Sequence, residues 1–434
     1  MSKIINIGIA GLGTVGCGVI NNLSRNKENL KEKYGFDYNI FGVSASNKTK
    51  KRSINIEEFN WYDNPVDLAK DKDIDLVVEL VGGEKGIAFD LAIEAIKNNK
   101  GFITANKALI SINGKILSEL SSKNNVFFGY EAAVAGGIPI IKTLKSGLFL
   151  DKINDIFGIL NGTSNFILSR MNSANKSFEE ALTEAQELGY AEADPSFDIN
   201  GMDAAHKLSI LSALSFGEFP SLQNTNVTGI EGIQTIDHKY AKEFGYKIKL
   251  IGKSSLIDGK ISKEISPMLV GEDSSLGTVE GVSNVVCIKT DYNGTLVLEG
   301  EGAGEGPTSA SVLSDIIDFS QGLKSHLFSK SYNDLTDSVS NIEISNRCYY
   351  LRTFLVDQKG SMAKFTSILE KNGISIDQVI QRGGVHLNDE KNSTPVIMLT
   401  HPVDSDSINS AFSELINTDL ILLNPIFLPV LKDN

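Results

Sequence analysis

The stretch IINIGIAGLGTVGCGVINNLSRN, residues 4–26, decides the fold. Its first seven residues form an Ile-rich apolar run, the pattern of a buried strand. Gly11, Gly13 and Gly16 follow in GLGTVG, and VINNLSRN then reads as a helix. Strand, glycine turn and helix in that order are the context that a dinucleotide fingerprint requires. Gly11 permits the tight turn, Gly13 lets the backbone approach a pyrophosphate, and Gly16 lets helix and strand pack closely. The helix N-terminus offers free amides and a positive dipole to the phosphates. A glycine turn with no ligand is the competing reading, which this placement disfavours.

Working outward, YNIFGVSAS (38–46) is the second strand of a doubly wound sheet. An NAD-selective site places Asp or Glu near its end to accept from the ribose 2′-hydroxyl. Here Ser44, Ala45 and Ser46 stand instead, followed by Asn47, Lys48, Lys50, Lys51 and Arg52. No carboxylate repels a 2′-phosphate and several cations could bind one, so NADP is the expected preference; a merely solvated basic loop is the alternative. DIDLVVELVGG (73–83) reads as another buried strand, AFDLAIEAIKNNK as a helix, and GFITAN (101–106) as a short strand with Lys107 directly after it. Ligands lie at the carboxyl ends of such strands, which places Lys107 toward the nicotinamide end, although a surface lysine fits the position equally. FFGYEAAVAGGIPII (127–141) begins as a strand and becomes a loop of small residues.

The pattern then changes. DKINDIFGIL reads as a strand, NGTSN as a turn, FEEALTEAQELG as a helix, and NVVCIKT and GTLVLEG as later strands, together a second α/β domain. It contains DPSFDINGMDAAHK (194–207). From Asp203 the chain DAAHKLSILSAL runs without Gly or Pro; at about 100° per residue, Asp203, Lys207, Ile210 and Leu214 share one stripe. Ala204, Leu208 and Leu211 flank it, and Ala205, Ser209 and Ser212 lie opposite. A surface i,i+4 ion pair belongs on the polar face, whereas this one sits on the apolar face. Burying the two is costly unless they pair, and buried titratable pairs mark chemistry, so Asp203 and Lys207 are active-site candidates.

GEGAGEGPTSASVLSDIIDF (300–319) is a glycine-rich loop running into a helix. Boundaries follow: a Rossmann domain over 1–135, a catalytic and oligomerisation domain over 136–325 with a returning helix near 307–323, and a polar linker over 326–346. From Arg347 the order is strand, helix, two strands, helix, strand; this βαββαβ order predicts a ferredoxin-like module over 347–434.

Composition bounds the function. A chain of 434 residues is long for one core, and 54 acidic against 41 basic residues, a net charge of -13, argue against a general nucleic-acid surface. Cys17, Cys287 and Cys348 are too few and scattered for a disulfide framework or a zinc site, the usage of a reducing compartment. The N-terminus resembles neither a signal peptide nor a membrane span. A cytoplasmic protein with no membrane partner is expected.

The stretch AQELGYAEADPSFDINGMDAAHK (185–207) closely resembles the signature of homoserine dehydrogenases, and GLGTVG, TANKAL, YEAAVAGGIPII, LNGTSN and GAGEGPTSA are similar to that family's motifs in its order. The resemblance covers essentially the whole chain. It implies reversible hydride transfer between NAD(P)H and L-aspartate 4-semialdehyde, giving L-homoserine in the pathway to threonine and methionine. Position by position, it implies Lys207 as proton donor with Lys107 close to nicotinamide and substrate. Glu192 and Asp203 match the residues that hold the homoserine end, with Asp198 and Thr163 secondary in the same pocket. It assigns Gly11, Gly13, Thr14, Val15 and Gly16 to the phosphate turn and places Gly189 and Gly302 beside the cofactor. It also implies a monovalent cation, sodium by the family's habit, held by Glu131 and by main-chain oxygens of Val134, Gly136 and Ile138.

The C-terminal module resembles an ACT domain, a regulatory fold of amino-acid metabolism, which implies an amino-acid effector such as threonine. Lys359-Gly360 replaces the usual Pro-Gly of its first turn, and Ser361 stands where an apolar residue is common. Nothing resembles an aspartate kinase, so the monofunctional form is implied. A homodimer or tetramer is expected by analogy. Two other readings compete: an oxidoreductase acting on another small amino-acid derivative, and a sensor that binds NADP and an effector without turnover.

Overall fold

The structure, a computed structural model, describes residues 3–324, 326–337, 346–382 and 393–432. The first domain runs β1 (Lys3–Ala10), α1 (Thr14–Tyr34), β2 (Phe36–Ser44), β3 (Asn60–Trp61), α2 (Val66–Lys70), β4 (Leu76–Glu79), α3 (Ile87–Lys97), β5 (Gly101–Thr104), α4 (Lys107–Asn124) and β6 (Phe128–Gly129). Its strands pair in parallel in the order β3-β2-β1-β4-β5-β6. That is the order of a dinucleotide-binding sheet, with the reversal of direction beside β1 and β4. One strand is shorter than its apolar run suggests: β4 keeps only the central LVVE of the 73–83 run, which ends in the left-handed Gly82 and Gly83.

The second domain contributes α5 (Ile140–Lys142), β7 (Ile153–Ile159), α6 (Gly162–Ala174), α7 (Phe178–Glu187), α8 (Ser196–Ile199), α9 (Met202–Phe216), β8 (Asn226–Val227), α10 (Thr235–Glu243), β9 (Tyr246–Ile257), β10 (Lys260–Gly271), β11 (Ser283–Thr290), β12 (Gly294–Glu301) and α11 (Glu305–Ser320). NGTSN is not a turn: Asn161 accepts from the Ser164 amide and caps α6, which begins at Gly162. The short polar residues that mark turns also favour helix N-caps, and here the cap wins. Helix α11 returns to the first domain and packs along α1, where Asn22 donates to Ser309 Oγ at 2.7 Å.

The last unit is β13 (Tyr349–Val356), α12 (Ser361–Lys371), β14 (Ile376–Gln381), β15 (Ser393–Thr400), α13 (Ser405–Ile416) and β16 (Ile421–Leu431), the βαββαβ order read from the sequence. Its antiparallel strands order as β16-β13-β15-β14 and join β12-β11-β7-β9-β10 through a short parallel contact of β16 with β10. Two ion pairs reinforce that join. Arg352 Nε meets Asp237 at 2.7 Å with both side chains buried, and Arg347 pairs with both oxygens of Glu264.

The stretch read as a polar linker is anchored where it is described. Leu327 and Phe328 are buried apolar anchors, the Tyr130 hydroxyl donates to the Leu327 oxygen, and Phe219 N donates to Thr336 O. Residues 338–345 of that expectation lie outside the described residues. Among the described residues, no helix is long and apolar enough to cross a membrane.

Candidate active site

The site is built on α9. Gly201 enters the helix at φ 86°, a left-handed conformation that a side chain would strain, and Asp203 falls in the first turn. Sequence periodicity gave this helix a polar side, and the structure removes it: Ala205, Ser209 and Ser212 are as buried as Leu208 and Ile210. The reason is position. Helix α9 lies between β9 and β10 on one side and α4 on the other. Two of its serines are satisfied in place, Ser209 by the His206 oxygen at 2.8 Å and Ser212 by Glu218 at 2.8 Å.

Asp203 is the hub. Its Oδ1 lies 3.0 Å from Lys107 Nζ, and its Oδ2 accepts from Lys207 Nζ at 2.8 Å and from Asn161 Nδ2 at 2.7 Å. Lys207 also donates to the main-chain oxygen of Leu160 at 2.7 Å. Lys107, the first residue of α4, is brought in because Asn106 caps that helix and fixes its start beside the end of β5. Burial alone would raise the Asp203 carboxyl; the charges of Lys207 and Lys107, with bonds from Lys207 and Asn161, outweigh it and hold the group well below the usual carboxylate range. Asp198, on α8, goes the other way: burial raises it despite the Asn161 bond, and Asp203 adds to the rise. Two neighbouring carboxylates are thus driven apart in acidity, which is how one site separates roles.

Asp198, Asp203, Lys107, Lys207, Thr163 and Gly189 line one cavity of 660 Å3, with Gly302 and Val15. Thr163 Oγ1 is held by the Tyr190 oxygen at 2.7 Å. Glu192 is not brought in: it is exposed and does not line the cavity. The glycine turn is packed as its chemistry demands. A Cβ on Gly11, at φ 99°, would lie 2.3 Å from Leu80 O, and one on Gly16 would lie 2.0 Å from Gly11 O. A Cβ on Gly13 would meet nothing within 4 Å among the described residues, which leaves room for a pyrophosphate before the α1 N-terminus at Thr14. Arg52 Nε donates to Leu12 O of this turn at 3.2 Å, so the basic loop folds against it.

Around Glu131 the fit to a cation can be tested. The carboxylate accepts amides of Ile141 at 2.8 Å and Lys142 at 2.9 Å, and the Glu131 amide donates to Asp315 at 2.9 Å. Burial, then Asp315, pushes Glu131 up to about 7, and burial pushes Asp315 up to about 6. Ala135 and Gly136 are consecutive left-handed residues at φ 54° and 52°, an unusual turn of the kind stored at functional sites. Gly136 O already accepts from Ser311 Oγ and Ile138 O from Ile140 N, both at 2.7 Å. Two buried carboxyls beside a strained turn suit a cation, although Lys142 Nζ, 3.7 Å from Asp315, already meets part of their charge; no cluster of three acidic, His or Cys side chains is present among the described residues, so main-chain oxygens would have to supply most of the ligands.

Sequence reasoning missed Asn161. Its Oδ1 caps α6, so its Nδ2 must face Asp198 and Asp203, and it orients both. The signal was present: an Asn before Gly-Thr-Ser is a helix N-cap pattern. His206, buried between Asp203 and Lys207 in sequence, bonds Ser111 of α4 through Nδ1 and ties the two lysine-bearing helices together.

Comparison with known proteins agrees with this geometry. Residues 11–131 match the family model "Homoserine dehydrogenase, NAD binding domain", and residues 139–317 match "Homoserine dehydrogenase". The homoserine dehydrogenase of Neisseria gonorrhoeae is 38% identical over 96% of this chain and 97% of its own, and that of Helicobacter pylori 38% over 98% of each. A crystal structure of a homoserine dehydrogenase from Thiobacillus denitrificans superposes with a TM-score of 0.90 at 36% identity, over 99% of both chains. A hyperthermophilic archaeal homoserine dehydrogenase in complex with NADPH gives 0.64 at 26% identity, over 75% of this chain and 100% of that one. With two lysines converging on one buried aspartate beside a dinucleotide turn, and relatives matched end to end, the chain belongs to the homoserine dehydrogenase family.

Proposed function

We propose that the chain catalyses reversible reduction of L-aspartate 4-semialdehyde to L-homoserine with NADP as the preferred cofactor. The observation that carries this reading is the Lys107–Asp203–Lys207 bridge in the cavity that also reaches Val15 and Gly302. The nicotinamide, when bound, supplies or accepts the hydride. Reduction builds negative charge on the aldehyde oxygen, and a nearby ammonium can stabilise it and then donate a proton. Lys207 is assigned that role: two of its three donors are taken by Asp203 and Leu160, and one remains for substrate. Lys107, less buried, is assigned to the substrate and nicotinamide side. Asp203 holds both lysines, and Asp198 and Thr163 complete the substrate end. Glu192 keeps a substrate role only if its loop closes on binding.

Support for NADP is the absence of a carboxylate at the end of β2, where Ser44 stands, and the fold of Arg52 onto the glycine turn. A sodium ion at Glu131, Val134, Gly136 and Ile138 would neutralise buried acid and brace the loop that lines the cavity. The C-terminal unit is assigned as an ACT-like module taking an amino-acid effector such as threonine, on its βαββαβ order and on Gly360, which opens α12 at φ 90°. A homo-oligomer is supported by the edge strand β12, where Val297, Tyr292 nearby, and Phe149 and Leu150 are exposed. The three scattered cysteines favour a cytoplasmic location.

The test is steady-state oxidation of L-homoserine with NADP and with NAD. Faster turnover with NADP is expected; equal or reversed preference removes the cofactor assignment.

A further inference from the structure

Asn284 stands at the start of β11 and is 1% exposed. Its Nδ2 donates to Leu160 O at 3.1 Å, the same oxygen that accepts from Lys207 Nζ at 2.7 Å. A carbonyl only accepts, so the amide nitrogen must face Leu160 and the side chain cannot be flipped. Oδ1 is therefore turned away from that oxygen, and the carboxamide as a whole lies over Gly302, where a Cβ would come within 2.2 Å of Cγ, 2.3 Å of Nδ2 and 2.4 Å of Oδ1. This buried Oδ1 has no partner among the described residues. Asn284 and Gly302 both line the cavity that holds Asp203 and Lys207. Few buried side-chain acceptors in native proteins go unmatched, and one beside reacting groups calls for a ligand donor.

We propose that Asn284 is a ligand-binding residue whose Oδ1 accepts an N–H of a molecule occupying this cavity, either the carboxamide of the nicotinamide or the ammonium of the amino-acid substrate. The assignment rests on the proposed reaction. It also explains Gly302 without reference to any ligand: a side chain there would displace the Asn284 amide. The neutral oxygen complements Asp198 and Asp203, because it can read an N–H donor without adding a third negative charge next to Lys207. The link to Lys207 through Leu160 O means that the acceptor and the proton donor share one main-chain anchor.

The experiment compares the parent with Asn284→Ala and Asn284→Ser, using L-homoserine, NADP and the 3-acetylpyridine analogue of NADP, whose ring substituent carries no N–H. If the carboxamide is the donor, KM for NADP rises about tenfold in Asn284→Ala, and the parent's preference for NADP over the analogue collapses. If the substrate ammonium is the donor, KM for homoserine rises by that factor and the cofactor preference is unchanged. The Ser variant keeps a hydroxyl near Leu160 and guards against loss of folding in the Ala variant. Variants that lose thermal stability while every KM stays within about twofold of the parent overturn the proposal. A parent without turnover would instead overturn the reaction itself.

Discussion

A single aspartate organises this site. Asp203 is 4% exposed and meets a lysine on each oxygen, so its charge is held where burial would otherwise remove it. Replacing Lys207 with Ala should lower kcat by at least about 100-fold, the scale of general acid–base catalysis, with NADP affinity nearly unchanged. Near-parental turnover would take Lys207 out of the mechanism. Elsewhere, Lys249, a buried residue of β9, donates to Asn165 and Val279 and is lowered to about 8 by burial, against the pull of Glu280. The unfolded chain therefore binds this proton over a range where the folded one does not, so stability should rise with pH from about 8 to the ordinary lysine value, be lost as pH falls back to 8, and stay flat below that. Melting temperatures across that range should show the slope in the parent and lose it in Lys249→Met. At this scale the charged pair was legible, because an i,i+4 spacing on an apolar face is a local pattern. The bonds of Asn161 to the carboxylates and of Asn284 to Leu160 were not: these partners lie 37 to 124 residues away and only the fold brings them together.

The dinucleotide turn was legible as an element because strand, glycines and helix are contiguous. Gly11 and Gly16 have the contacts that the spacing implied. The proposed preference for NADP rests one element further, on the basic loop after β2. Reversing charge at Lys50, Lys51 and Arg52 should raise the Kd for NADP by about tenfold or more while NAD changes little; equal effects in a fluorescence titration would exclude the loop as selector. The start of helix α6, NGTSN, was read as a turn because Asn, Gly, Thr and Ser signal both turns and caps. Asn161→Ala removes that cap, worth about 1 kcal/mol, and frees two carboxylates, so it should lower both the unfolding midpoint and kcat/KM. A fall in stability alone would reduce Asn161 to a cap. Helix α9 shows the limit of periodicity: it was read as one-sided and is buried on all sides, since a helix enclosed by a sheet and another helix has no use for a polar face.

Over the whole molecule, the cavity lies between domains whose order the sequence revealed, whereas the docking of the last unit was not legible. It depends on Arg352 and Asp237, 115 residues apart. Asp237→Ala should destabilise the protein by about 3–5 kcal/mol, because it leaves a buried guanidinium uncompensated, and adding Arg352→Met should recover part of the loss in denaturant unfolding. No recovery would mean that the Asp237 bonds to Tyr350 and Gln234 matter more than the pair. The long β9–β10 hairpin also escaped the sequence reading, since its two strands carry Lys and Ser on buried positions, with Lys249 and Lys263 each 2% exposed or less. The central claim is that these domains meet to oxidise homoserine. Absorbance at the nicotinamide band should rise when purified protein receives L-homoserine and NADP, more slowly with NAD, and should stay flat for Lys207→Ala. Folded parent protein that binds NADP and produces no change with either cofactor would contradict the account.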